Sequence, residues 1–141
     1  MALLKWDNNY SVSIDVIDAH HKKIIELLNI LHDAILQKTE HEIMEKILED
    51  LTACVEQNFP EEEELLRTAG YPHLEEHMES HRILAEGVWA LLARYQEGED
   101  LTYDVMNFLT SWITEHIMQE DKRYESFLQK TSPQPLVSSA G

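Results

Sequence analysis

The chain has 141 residues, 43% of them hydrophobic and only four of them glycine, with a formal charge of −16. That length suits one domain with one substantial core, and that composition argues against a long disordered chain. Lys plus Arg total 11 against 27 acidic residues, so nucleic acid and anionic membrane surfaces are excluded as expected partners, since neutralising phosphate takes basic patches.

Cys54 stands alone, so no disulfide can form within the chain, which fits a reducing, cytoplasmic compartment. The opening Met-Ala-Leu-Leu-Lys-Trp-Asp has no long apolar segment of the secretory kind. The longest uncharged apolar run, Gly87 to Ala93, is too short to cross a bilayer.

Residues 1–15 read as an irregular arm carrying Trp6, Tyr10, Val12 and Ile14. Their alternation suits a short strand, but nothing later offers a partner, so the arm is expected to pack across the outside of a bundle. The first helix is expected over residues 18–37, capped by Asp15 or Asp18. Its apolar row is Ile17, Ile24, Leu28, Leu31 and Ile35, and His21 falls within it. His20 and His32 lie off the row and are given no metal role. Thr39, three residues before Glu42, reads as a capping box opening the second helix. That helix carries the stripe Met44, Leu48, Leu51, Val55, Asn58, Glu62 and Leu65. An amide and a carboxylate thus stand where apolar side chains belong, and a buried carboxylate needs a cation, a metal or a proton. Pro60 should kink the helix there, and Ala69-Gly70-Tyr71-Pro72 should end it.

The third helix, residues 73–96, has the row His77, His81, Leu84, Val88, Leu91 and Tyr95. Histidines four apart sit one turn apart on one helix face, which suits two nitrogen ligands on one metal ion. His73 lies one turn further back, towards the outside. The fourth helix, residues 102–129, has the row Val105, Leu109, Trp112 and His116, flanked by Phe108 and Ile113. Five residues separate His116 from Asp121, about 140° off one face of a regular helix. Spacing alone favours Glu120, and Asp121 would need a local bulge or a favourable rotation.

Four amphipathic helices joined by short turns predict an all-α, antiparallel up-down-up-down bundle. The bundle domain is expected over residues 1–130 and a flexible tail over 131–141. In such a bundle His21, early in the first helix, meets Asn58 and Glu62, late in the second. His77 and His81, early in the third, meet His116 and Asp121, late in the fourth. Four histidines and two carboxylates inside an apolar bundle describe a two-metal site, most naturally iron.

These pieces resemble the bacterial hemerythrins over roughly residues 3–128. The matching stretches are Trp6, Asp18-Ala-His-His21-Lys, Phe59-Pro-Glu-Glu62-Glu, Gly70-Tyr71, His77-x-x-x-His81 and His116-Ile-x-x-x-Asp121. The five-residue spacing is the one that family uses, so the resemblance selects Asp121 over Glu120. It implies a four-helix bundle holding a non-haem di-iron centre that binds dioxygen reversibly. It assigns His77, His81 and His116 to one iron and His21 to the other, with Glu62, Asp121 and an oxo or hydroxo group as bridges. An apolar pocket including Phe59, Trp112 and Ile113 would keep water from the dioxygen.

One departure stands out. The family pattern has a histidine four residues before the bridging glutamate, and this chain has Asn58. An amide offers a weak carbonyl oxygen and no nitrogen lone pair, so the His21 iron should be weakened, a coordination position opened to water, peroxide or small anions such as azide, and a single-iron protein becomes an alternative. Cys54, one turn before Asn58, is read as a core thiol, and His73 is a poor substitute ligand. The functional expectation is a dioxygen carrier, store or sensor, with a stand-alone carrier favoured and reversible binding impaired by Asn58. The alternatives are a di-iron oxidase or peroxidase using the open position and a single-metal binding module.

Overall fold

A computed structural model describes residues 4–6, 10 and 14–131, the side chains of 120, 122 and 128–131 excepted. The chain is an all-α four-helix bundle. The first rod is α1 (Asp15–Gln37). The second is α2 (Glu40–Ala53), a π-helical segment (Cys54–Asn58) and α3 (Phe59–Ala69), end to end. The third is α4 (Leu74–Gln96). The fourth is α5 (Thr102–Ser111), a second π segment (Trp112–Asp121) and α6 (Lys122–Thr131). Among the described residues there is no strand, and no helix is long and apolar enough to cross a membrane. Val12 and the tail beyond Thr131 lie outside the described residues.

The expected caps are not formed. α1 starts earlier than its periodicity suggests, so Asp15 and Asp18 fall inside the first turn rather than at the cap, which is Ile14 in extended conformation. Carboxylates in that turn still favour the helix through its dipole. Thr39 does stand at the cap of α2, but its hydroxyl makes no capping bond; the Glu42 N–H goes to the Thr39 backbone carbonyl at 3.0 Å instead. The stops match their signals better. Gly70 ends α3 at φ 76°, in the left-handed region that glycine enters without strain, and the Tyr71 N–H returns to the Leu66 carbonyl at 3.0 Å.

Pro60 sits in the first turn of α3, just after the first π segment. The Phe59 N–H reaches back to the Cys54 carbonyl, one residue further than in an α-helix. That extra residue moves the inward face by one position. Phe59 and Leu66 are buried where regular spacing predicted Asn58 and Leu65, both of which are only partly buried, while Glu62 stays inside.

α1 packs against α2 and α5, and α2 and α3 pack against α4. Two apolar clusters result. The larger is built on residues such as Leu28, Leu31, Leu48, Leu51, Val88, Val105 and Leu109. The smaller joins Ile14, Ile17, Leu66, Tyr71 and Tyr124 at the other end. Burial of this kind contributes about 25 cal/mol per Å² of apolar surface removed from water. Leu4, Trp6 and Tyr10 of the arm pack on the larger cluster. Asn29 on α1 tethers the arm, accepting the Leu4 N–H at 2.8 Å and donating to the Leu4 carbonyl at 2.6 Å.

Candidate metal centre

Between the two apolar clusters lies a group of buried polar side chains: His21, Glu62, His77, His81, His116 and Asp121. One ligand atom from each of Glu62, His77, His81, His116 and Asp121 falls within 4.8 Å of all the others. Each rod supplies its members by a local device. α1 places His21 one turn after Ile17 on its apolar row. The first π segment carries the inward face past Pro60 and leaves Glu62 inside. α4 stacks His77 and His81 one turn apart, rings 4.6 Å from centre to centre. The second π segment places both His116 and Asp121 inside. Its wider turn, closed by bonds spanning five residues, brings residues five apart onto one face. The His116–Asp121 spacing that a regular helix disfavours is therefore satisfied by a different helix, not by rotation.

The two carboxylates divide their oxygens between two sides. Glu62 Oε1 lies 3.0 Å from His77 Nε2 and 2.7 Å from His81 Nε2. Asp121 Oδ1 lies 3.1 Å from both His77 Nε2 and His116 Nε2. The opposite oxygens face α1: Asp121 Oδ2 is 2.8 Å and Glu62 Oε2 is 3.8 Å from His21 Nε2. Glu62 Oε2 also accepts a hydrogen bond from the Tyr124 hydroxyl at 2.7 Å. Three imidazoles thus meet one side of the carboxylate pair, and one imidazole and a phenol meet the other.

The donor chemistry fits a metal ion. Both Asp121 oxygens and His81 Nε2 are fully buried and find no hydrogen bond of proper direction, although their neighbours stand within 3.1 Å. Lone pairs converging on a common point are costly without a cation between them. His81 is held by its other nitrogen, Nδ1, against Glu63 Oε2 at 2.7 Å. A proton on Nδ1 donated to Glu63 leaves the Nε2 lone pair for the centre, the way carboxylates orient metal-bound histidines. Phe59 stacks flat on the His81 ring at 3.8 Å and 2°.

Without a cation, protons serve instead. Burial alone would lower the His77 imidazole, but Asp121 and Glu62 overcome it and hold the group up at about 10. The same contest raises His81, through Glu62 and Glu63, and His21, through Asp121 and Glu62. Burial disfavours charge on Asp121 and Glu62 too, yet His116 and His21 keep the first, and His77 and His81 the second, below the ordinary carboxylate range. Tyr124 goes the other way: burial, then Glu62 and Asp121, push it well above 10, so it stays a donor.

On the His21 side the carboxylates border a cavity of about 20 Å³, room for one water-sized molecule. Phe59 and Trp112 line it, with Ile24; Ile113, expected beside them, is buried in the larger apolar cluster and is not part of the lining. Asn58 reaches this cavity from the end of the first π segment, and Cys54 lies beside it with its thiol hydrogen-bonded to Asn58. Burial pushes that thiol up to about 11, which keeps it protonated. His20 also lines the cavity, with Nε2 3.2 Å from Glu61 Oε1. His73 is exposed and pairs with Glu76 at 2.8 Å, away from the centre.

Tyr124, Glu63 and His20 escaped the reading of spacing. Tyr124 follows Asp121 by three residues, and only knowledge of the second π segment fixes its facing. Glu63 adjoins an inward carboxylate in a run of four, where sequence does not separate solvated members from engaged ones.

The geometry agrees with the comparisons. Residues 12–128 match the model of the hemerythrin HHE cation binding domain. The chain is 35% identical over 124 residues to the bacteriohemerythrin of Stenotrophomonas maltophilia, an alignment covering 88% of this chain and 80% of the relative. It is equally similar to a bacteriohemerythrin of Pseudomonas aeruginosa, and 27% identical to that of Clostridium acetobutylicum over 84% of this chain and 96% of the relative. A bundle whose four rods converge a buried His/Glu/Asp set suited to non-haem iron, matched over most of its length by that family's model, belongs to the hemerythrin family.

Proposed function

We propose that the protein is a non-haem di-iron protein that binds dioxygen. The observation that carries this reading is the division of the carboxylate oxygens, Oε1 and Oδ1 towards His77, His81 and His116, and Oε2 and Oδ2 towards His21. A carboxylate with one oxygen on each side is what a bridge between two cations requires. One iron would be held by His77, His81 and His116 and the other by His21, with Glu62 and Asp121 placed to serve both. Two ferrous ions held there would supply the electrons that reversible dioxygen binding draws on.

The residues around them set the conditions. The small cavity borders the His21 side, so a diatomic molecule or a small anion such as azide approaches there. Phe59, Trp112 and Ile24 restrict water at that position, which strengthens electrostatic interactions within. Tyr124 donates to Glu62 Oε2 and so competes for electron density on that side. Asn58 lines the same cavity and would offer an iron there only a weak oxygen donor where an imidazole would bind more firmly.

The test is exposure of the anaerobically loaded ferrous protein to dioxygen, followed by removal of the gas. A long-lived coloured adduct whose spectrum reverses on deoxygenation is the expected result. Direct conversion to a ferric product, with repeated consumption of an added reductant, would instead identify an oxidase.

A further inference from the structure

Glu62 is flanked on α3 by two carboxylates that reach to different neighbours. Glu63 Oε2 meets Nδ1 of His81 on α4 at 2.7 Å. Glu61 Oε1 meets Nε2 of His20 on α1 at 3.2 Å. The pairs repeat one device: a carboxylate of α3 holds one ring nitrogen of a histidine on an adjoining rod. In the Glu63 pair, the remaining nitrogen faces Glu62 at 2.7 Å. In the Glu61 pair, the remaining nitrogen, Nδ1, belongs to a ring that lines the cavity shared by His21, Asn58, Glu62 and Asp121.

We propose that His20 is a metal ligand on the His21 side, with Nδ1 supplying the imidazole that Asn58 does not and Glu61 accepting the proton of Nε2. This rests on the two-metal reading above. A step of one residue turns about 100° around a helix, so His20 cannot share the inward row of His21. It faces the seam between α1 and α3 instead, where Glu61 stands. A first-row divalent metal prefers imidazole to an amide carbonyl, and a carboxylate on the distal nitrogen fixes the tautomer and orients the ring for ligation. His20 and His21 with the oxygens of Glu62 and Asp121 then make a mixed nitrogen and carboxylate set on the cavity side.

The experiment is anaerobic titration of the full chain with ferrous iron against a chelator, for the parent, His20→Gln, Glu61→Gln and His32→Gln, with cobalt(II) loading for proton NMR. The parent should take two equivalents. His20→Gln should hold the second about tenfold or more weaker, given that loss of even an outer-sphere partner costs about 10–100-fold, and leave the first unchanged. Glu61→Gln should weaken the same equivalent less, and His32→Gln should match the parent. Cobalt-loaded parent should show one more paramagnetically shifted imidazole N–H signal than His20→Gln, and adding Asn58→His to His20→Gln should restore tight second binding. Parent-like second affinity and an unchanged set of shifted signals in His20→Gln would overturn the proposal while leaving the two-metal reading intact. A parent that takes a single, His77-dependent equivalent would overturn both.

Discussion

The two sides of the carboxylate pair are built differently. On one side His77, His81 and His116 crowd Glu62 Oε1 and Asp121 Oδ1, and a phenylalanine stacks on the His81 ring. On the other, His21 is the one histidine in contact with the carboxylates, a phenol donates to the bridge, and a water-sized cavity remains. The crowded side comes from a helix with histidines four apart and a π segment; the open side comes from His21 on α1 and an asparagine at the end of the other π segment. Nitrogen count and access therefore differ: three imidazoles meet one side, and one imidazole with room for a small molecule meets the other.

The most severe way to break this contrast is to remove an atom pair that serves both sides. Asp121→Ala should abolish both metals, leaving well under one iron per chain after desalting; a variant that keeps two would remove Asp121 from the centre. Single-side variants sharpen the contrast. His77→Ala should lose the crowded-side iron, seen as a fall of about one equivalent, and His21→Ala should lose the other. Equal spectra for the two variants would erase the distinction between sides. Asn58→His should tighten the weaker equivalent by about tenfold or more in chelator competition, with the stronger equivalent unmoved.

The protons shared within the buried cluster of the metal-free protein give a pH signature. His77 rises from 6.5 to about 10 on folding, so its stabilising contribution is complete below 6.5 and lost as pH climbs towards 10. Glu62 and Asp121 are depressed from 4.5 and 3.8, so their contribution is present above those values and lost as pH falls below them. Metal-free protein should therefore melt highest between about pH 4.5 and 6.5 and lower at pH 9. Loaded protein should not follow that decline, because metal binding needs the imidazoles deprotonated; parallel Tm curves for the two forms would contradict the assignment. The smallest effect belongs to Tyr124→Phe, which removes one buried hydrogen bond to Glu62. About 1–3 kcal/mol lower stability of the metal-free form in urea unfolding is expected, with the metals retained.

Much of this was legible in the residues. The rows of α1 and α4 place His21, His77 and His81 inward by ordinary helical periodicity, and Glu62 shows as a carboxylate on an apolar stripe. The rest depends on the two π segments. Periodicity assumes one turn per 3.6 residues, so it preferred Glu120 to Asp121 and put Asn58 and Leu65 where Phe59 and Leu66 lie. Resemblance supplied Asp121, and the second π segment supplies its physical reason. The caps failed for another cause: Asp15 and Asp18 satisfy a composition rule, but Ile14 already leads the chain into α1. His20 stayed hidden because it lies off the apolar row, and only the cavity relates it to the centre.

The central claim, that the divided carboxylates hold two cations, is tested most directly by counting iron per chain after anaerobic loading with ferrous iron and desalting. Two per chain is predicted, with one released by His77→Ala and the other by His21→Ala. One per chain, unaffected by His21→Ala, would contradict it.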